Sequence, residues 1–238
     1  MKKQLLITTQ KSVRSAMLFV LFSFVYTTIT QAQKGFSYGL KAGLNLSTSS
    51  YNRFFTDKKV LKPGFQIGIT GEYGFTDALF LQSELAFTTK GAEYRGAESW
   101  IGGTNPPITH WRNIFTQNYV QIPLKVAYKF DAGADLKLFV NAGGYAAYGI
   151  SGTDKTKNRY TKVDRPDDES VAYPFKEGAL KRFDTGALLG FGAEYKRFTL
   201  DINYEHGLAD IGAQLSNSVY DFEYHNRNIA FTLGYRIR

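Results

Sequence analysis

The stretch Tyr119-Val-Gln-Ile-Pro-Leu-Lys-Val-Ala-Tyr-Lys-Phe130 sorts its side chains by parity. Val120, Ile122, Leu124, Val126, Tyr128 and Phe130 fall on one side, and Gln121, Lys125 and Lys129 on the other. A period of two places these sets on opposite faces of a β-strand. One face is apolar throughout, and every charge is on the other.

Seven further runs outward from this stretch repeat the pattern. Before it, Phe36–Leu46 opposes Lys41 and Asn45, Phe65–Phe75 opposes Gln66, Thr70 and Glu72, and Leu79–Phe87 opposes Gln82 and Glu84. After it, Leu136–Ile150 opposes Lys137, Asn141 and Tyr145, and Phe183–Tyr195 opposes Asp184 and Glu194. Phe198–Tyr204 then opposes Asp201, Asn203 and Glu205, and Ile229–Ile237 opposes Asn228, Thr232, Arg236 and Arg238. The connections alternate long and short, the short ones being Thr76–Ala78, Asp131–Asp135 and Lys196-Arg197. Runs of roughly 10–15 residues can cross a bilayer as tilted strands. Together these features predict an all-β protein, an eight-stranded antiparallel up-and-down transmembrane β-barrel.

A charge at the bilayer midplane on the lipid side of a barrel costs about 2–4 kcal/mol, so the charge-free parity must face outward. The inward set then brings Lys41, Lys90, Lys125, Lys129, Lys137, Arg236 and Arg238 against Glu72, Glu84, Asp184, Glu194, Asp201 and Glu205. An eight-stranded barrel has room inside for little beyond its own side chains. Near-balanced charges in that space predict a paired polar network that plugs the lumen, since an unpaired buried charge is expensive. Phe80, Phe139 and Leu188 also fall inward, where they are expected to fill space beside small residues or near the strand ends. Pro123 removes a ladder donor in mid-strand, which predicts a local bulge.

The chain opens with Lys2, Lys3, Lys11 and Arg14, an apolar run from Ala16 to Val25, and Thr30-Gln-Ala32. That order reads as a secretory signal peptide over 1–32 with cleavage after Ala32, leaving 33–238 as the barrel domain. The apolar run is shorter than the roughly 20 residues a spanning helix requires. Removing the leader lowers the formal charge from +8 to about +4, as 25 basic residues then face 21 acidic ones. Much of the remainder is inward, so the basic balance gives no support for nucleic-acid binding. The absence of cysteine excludes disulfides and lipid attachment at a mature N-terminal Cys.

Aromatic residues collect at both ends of the runs. Phe36, Tyr38, Tyr73, Phe75, Tyr128, Phe130, Tyr195, Phe198 and Tyr235 lie by the short turns or termini, and Phe65, Phe87, Tyr148, Phe183 and Tyr204 lie toward the long loops. Two such girdles are expected at the two faces of an outer membrane, with short turns toward the periplasm and long loops outside.

Any activity must then lie in the loops. Gly91–Phe115 offers Trp100 and Trp111 as candidate sugar or protein contacts, and Ser151–Arg182 offers Asp167 and Asp168 in an acidic cluster suited to calcium or to ion-bridged lipopolysaccharide. His110, His206 and His225 show no metal-site spacing such as His-Glu-x-x-His. No enzymatic role, cofactor or resident metal is expected.

Tyr119–Phe130 resembles the hallmark fourth strand of the PorT-like, or porin-family, outer-membrane β-barrel domain. Asp184–Tyr195 is similar to its sixth strand, Tyr204-Glu-His-Gly-Leu208 to its seventh and Phe36–Asn45 to its opening strand. The resemblance covers the mature chain and implies that Pro123 is a family feature. It departs at the end, where Tyr235-Arg-Ile-Arg238 replaces the terminal aromatic of many such barrels. Three functions are compatible with these residues. The first is an integral barrel with a structural or interaction role, its partners being outer-membrane lipid, lipopolysaccharide or an envelope or secretion-system protein. The second, implied by the resemblance, is a narrow solute pore or a subunit of a secretion or transport assembly. A soluble lipocalin-like barrel, the third, would need an apolar lumen, the inverse of this pattern.

Overall fold

Eight strands close into a ring. The computed structural model describes residues 35–50, 58–99, 108–161, 166–212 and 223–238. Residues 1–32, read from the sequence as a signal peptide, and Trp100 lie outside the described residues. In chain order the strands are β1 (Phe36–Ser49), β2 (Lys58–Val60), β3 (Lys62–Gly74), β4 (Leu79–Ser99), β5 (Ile108–Gly133), β6 (Leu136–Thr161), β7 (Asp168–Ala172), β8 (Phe183–Tyr195), β9 (Phe198–Gly207) and β10 (Asn226–Arg236). The wall runs β1-β3-β4-β5-β6-β8-β9-β10 and returns to β1, with β2 added to β4 and β7 added to β6. Antiparallel pairing from Gly39↔Arg236 to Ser49↔Asn226 closes it. A closed ring has no free strand edge within the membrane, where an unpaired backbone group has no water to turn to.

Burial is inverted relative to a soluble protein. Leu44, Leu189 and Leu200 are 68%, 63% and 62% exposed, whereas Asn45, Lys90 and Asp184 are fully buried. The alternation in the sequence is thus the alternation of an apolar exterior and a polar interior.

Three departures from the sequence expectations have local causes. Pro123 needs no bulge. The register of β4 on β5 is the same on either side of it, from Ser83↔Leu124 to Ala86↔Gln121, with the intervening pairs absent. The gap is left open on the β4 side, where Ser83 Oγ donates to the Pro123 carbonyl at 2.8 Å. A bulge lies elsewhere. Tyr119 pairs with Gly149 but Asn118 pairs with Ser151, so Ile150 is the extra residue in β6. The third departure concerns length.

Segments 91–115 and 151–182 were expected as loops, yet β4, β5 and β6 run 21, 26 and 26 residues and take in most of the first segment and the opening third of the second. Beyond the membrane-crossing portion they continue, with β2 and β7, as a sheet ordered β2-β4-β5-β6-β7. Its charges occupy both parities, which hid it from a search for alternation.

Candidate functional site

Inside the ring, charges from different strands meet in successive layers. Toward the short turns, Lys129 Nζ lies 2.6 Å from Glu72 and 2.7 Å from Glu194. Arg236 also pairs with Glu194, and Gln82 donates to Glu72 at 2.7 Å. In the next layer Lys41 Nζ sits 3.1 Å from Glu84 and 2.8 Å from Asp201, which Lys125 approaches at 3.5 Å. Higher still, Lys90 Nζ lies 2.7 Å from Glu205, which also accepts from Gln121 at 2.8 Å and Asn228 at 3.2 Å. Asp184 completes the upper interior, accepting from Asn226 at 3.0 Å and from the Tyr145 hydroxyl at 3.3 Å. The two lower layers each hold two cations and two carboxylates, so neither leaves a net buried charge.

Of the residues singled out from the sequence, Lys41, Glu72, Glu84, Lys125, Lys129, Asp184, Glu194, Asp201, Glu205 and Arg236 are brought together here. Lys137 is not. Its side chain is 40% exposed and lies 3.7 Å from Asp131 at a short turn. Its parity is inward, but it is the second residue of β6 and so stands at the rim. The amides that fill the space between the ions, among them Asn45, Gln121, Asn203 and Asn228, are all buried, on the inward face where the sequence placed them, although it did not name them as part of the network. Their inward parity was the available signal.

Around Asp184 the interior also holds an apolar cluster. Tyr119, Tyr145, Ala147, Phe175, Leu180 and Leu188 form a buried cluster. Phe175 and Leu180 come from the connection between β7 and β8, which turns back into the mouth. The Phe175 ring meets Tyr119 edge-on at 5.8 Å and lies over Gly149, where a Cβ would collide with it, and close against Gly152. Arg182 pins the segment by donating to the Gly149 carbonyl at 2.8 Å and the Phe175 carbonyl at 3.2 Å. Ile211, fully buried, accepts a backbone hydrogen bond from Lys181 at 2.8 Å. Inward Phe139 fills space against Gly192 in the same way, and Phe80 lies 4.3 Å beneath Lys129 Nζ.

Outside the membrane-crossing portion, Glu93 is buried between two arginines. Arg112 donates to it from Nε at 2.7 Å and from a terminal nitrogen at 2.8 Å, and Arg95 Nε donates at 2.6 Å. Burial pushes the Glu93 carboxyl up, but the hydrogen bonds from Arg112 and Arg95 outweigh it and hold the group below its ordinary value. Trp111, half-buried, lies over Gly96. Asp168 accepts from Asn158 at 2.8 Å and from the Tyr160 hydroxyl at 2.9 Å, and Asp167 accepts from the Tyr160 amide at 3.3 Å. These acids dock β7 and its approach against β6. Among the described residues, no group of three or more His, Asp or Glu is placed to hold a metal ion.

An apolar exterior, two aromatic girdles and a charged interior on a closed eight-stranded ring define a transmembrane β-barrel of the outer-membrane kind. The chain belongs to the family of outer membrane protein beta-barrel domains, which it matches over residues 31–212. It is therefore an outer-membrane protein. Among solved structures it is similar to Neisserial surface protein A, at 14% identity over 85% of this chain and 98% of that one, TM-score 0.41. It is also similar to OprG of Pseudomonas aeruginosa, at 13% identity over 86% and 96%, TM-score 0.39. Ail, the attachment invasion locus protein of Yersinia pestis, matches at 13% identity over 86% and 100%, TM-score 0.36. No curated protein matches the chain.

Proposed function

We propose that the protein is a non-conducting, non-enzymatic outer-membrane barrel that acts through its external sheet and loops, in a structural or interaction role. Its partners on this reading are outer-membrane lipid and lipopolysaccharide, with an envelope or secretion-system protein as a further candidate. The leader over 1–32 is cleaved on export, and the 33–238 domain is PorT-like by its strand motifs.

The observation that carries the proposal is the Lys41 layer. Side chains from β1, β4, β5 and β9 are linked across the lumen by ion pairs of 2.8, 3.1 and 3.5 Å. A solute crossing this layer would have to part desolvated ion pairs, whose disruption costs about 3–5 kcal/mol each. The apolar cluster around Phe175 adds a second barrier at the mouth. A cavity of about 80 Å³ remains among Lys41, Glu72, Lys125, Lys129 and Glu194, room for a few water molecules. A narrow solute pore is the alternative. Planar-bilayer recording distinguishes them: purified protein should give no steady channels, and stable ohmic steps would overturn the plug.

A further inference from the structure

The bulge at Ile150 has a consequence for charge. Up to Ile150 the even-numbered residues of β6 face lipid; from Ser151 onward the odd-numbered residues take that face. Lys155, Lys157 and Arg159 are thereby turned outward, onto the continuation of the barrel's lipid-facing surface, where they meet residues of the neighbouring strands. Lys58↔Arg95, Arg95↔Arg112, Arg112↔Lys157 and Lys157↔Glu169 are direct cross-strand partners, which share one face. Four cations thus stand in a row across β2, β4, β5 and β6. One row nearer the membrane lie Glu93, Ile114 and Lys155, and one row farther lie His110 and Arg159.

The face carries six cations (Lys58, Arg95, Arg112, Lys155, Lys157, Arg159) against three acids (Glu93, Asp167, Glu169), an excess of three positive charges. Lys157 pairs with Glu169 at 2.8 Å, but neither Lys58 nor Lys155 forms an ion pair with another described residue. The arginines are held in place from below. Buried Glu93 fixes both guanidinium groups while their side chains stay 46% and 52% exposed. A groove of about 670 Å³ is lined by Arg95, Arg112, Lys157 and Arg159 together with Asp167, Asp168 and Glu169.

Height selects the occupant. The row lies eight residues beyond Phe87 of the outer girdle, roughly 27 Å along the strand and, at a tilt of about 35–45°, about 20 Å in height. Headgroups add only about 5–8 Å to each side of the hydrocarbon, so the head of an ordinary phospholipid lies well below it. Between the girdle and the row of Glu93, Ile114 and Lys155 the same face carries only uncharged polar and small residues, Thr89, Asn118 and Ser151, then Gly91, Thr116 and Thr153. Hydroxyls and amides below and cations above match a glycolipid whose sugars rise from the leaflet and carry anionic groups. We infer that this face binds the anionic carbohydrate core of outer-leaflet lipopolysaccharide, with Lys58, Arg95, Arg112, Lys155 and Lys157 contacting its phosphate or carboxylate groups.

This rests on the outer-membrane interaction reading but not on the plug. The test uses the full mature chain in phospholipid nanodiscs, titrated with purified rough lipopolysaccharide and with the same material dephosphorylated. Wild type should bind the intact form, more weakly as salt rises. Lys58→Gln/Lys155→Gln, which leaves the Glu93 clamp intact, should weaken that binding roughly tenfold or more at low salt. Arg95→Gln/Arg112→Gln should weaken it further, and dephosphorylation should remove most of the difference between variants and wild type. Heat-modifiable gel mobility confirms that each variant is folded, and bilayer conductance of the same samples tests the plug separately. Unchanged affinity in the folded Lys58→Gln/Lys155→Gln variant would overturn the inference. So would equal binding to phosphatidylglycerol discs lacking lipopolysaccharide, or a sulfated polysaccharide bound through these residues in preference to it.

Discussion

Lys41 Nζ is shared between Asp201 at 2.8 Å and Glu84 at 3.1 Å, joining β1 to β9 and β4 through the centre of the barrel. Replacing it with Met leaves two buried carboxylates to Lys125 alone. Lys41→Met should therefore lower stability by about 3–5 kcal/mol. Neutralising the acids as well, in Lys41→Met/Glu84→Gln/Asp201→Asn, should restore most of the loss. Urea unfolding of folded protein in detergent, followed by tryptophan fluorescence, measures both. An unchanged midpoint for Lys41→Met would contradict the pairing.

Leu124 and Leu200 are 56% and 62% exposed on the face assigned to lipid. Arg at either position should cost about 2–4 kcal/mol near the midplane and block assembly. Asp167→Asn, outside the membrane, should not. Heat-modifiable mobility after outer-membrane fractionation reads all three, and identical behaviour would count against the assigned faces.

Phe175 fills the mouth over Gly149, whose missing Cβ makes room for its ring, and close against Gly152. Phe175→Ala and Gly149→Val should both release the segment between β7 and β8 without unfolding the wall. Limited proteolysis should then cut near residues 173–182 in either variant and spare the wild type. Resistance equal to wild type in both variants would rule out this closure.

Glu93 titrates below its ordinary 4.5 because Arg112 and Arg95 donate to its charged form. A lowered folded-state pKa contributes stability that is complete above the unfolded value and lost as pH falls through the folded one. Amide exchange in the β4–β5 extension, corrected for intrinsic rates, should be protected at neutral and mildly acidic pH and lose protection as pH falls through the lowered Glu93 value. Glu93→Gln should abolish that pH dependence. The same loss in the variant would place its origin elsewhere.

The membrane-crossing wall was legible in the sequence because one rule governs it: Leu40 or Leu124 outward, Lys41 or Lys125 inward. Where a different rule takes over, legibility ends. Lys155, Lys157 and Arg159 share the parity of Lys137 and Asn141, and only the extra residue Ile150 turns them outward. Nothing in the local sequence marks it. Pro123 signalled a disturbance, but the strand absorbs it by leaving pairs unmade rather than by inserting a residue. Phe175, Leu180 and Ile211 are buried by loops that fold into the mouth, and a contact between non-repeating segments leaves no periodicity to read. Lys137 shows that parity assigns a face and not a depth.

The chain has no cysteine, so single nitroxide labels can be placed along β5 without background. Accessibility at positions 120, 121, 122, 124, 125 and 126 to membrane-dissolved oxygen and to a water-soluble nickel chelate is the most direct measurement of all. Labels at 120, 122, 124 and 126 should collide with oxygen, and those at 121 and 125 should be shielded from both reagents. Nickel access at 121 or 125 would mean a water-filled channel, and oxygen access there with shielding at 122 and 124 would turn the barrel inside out.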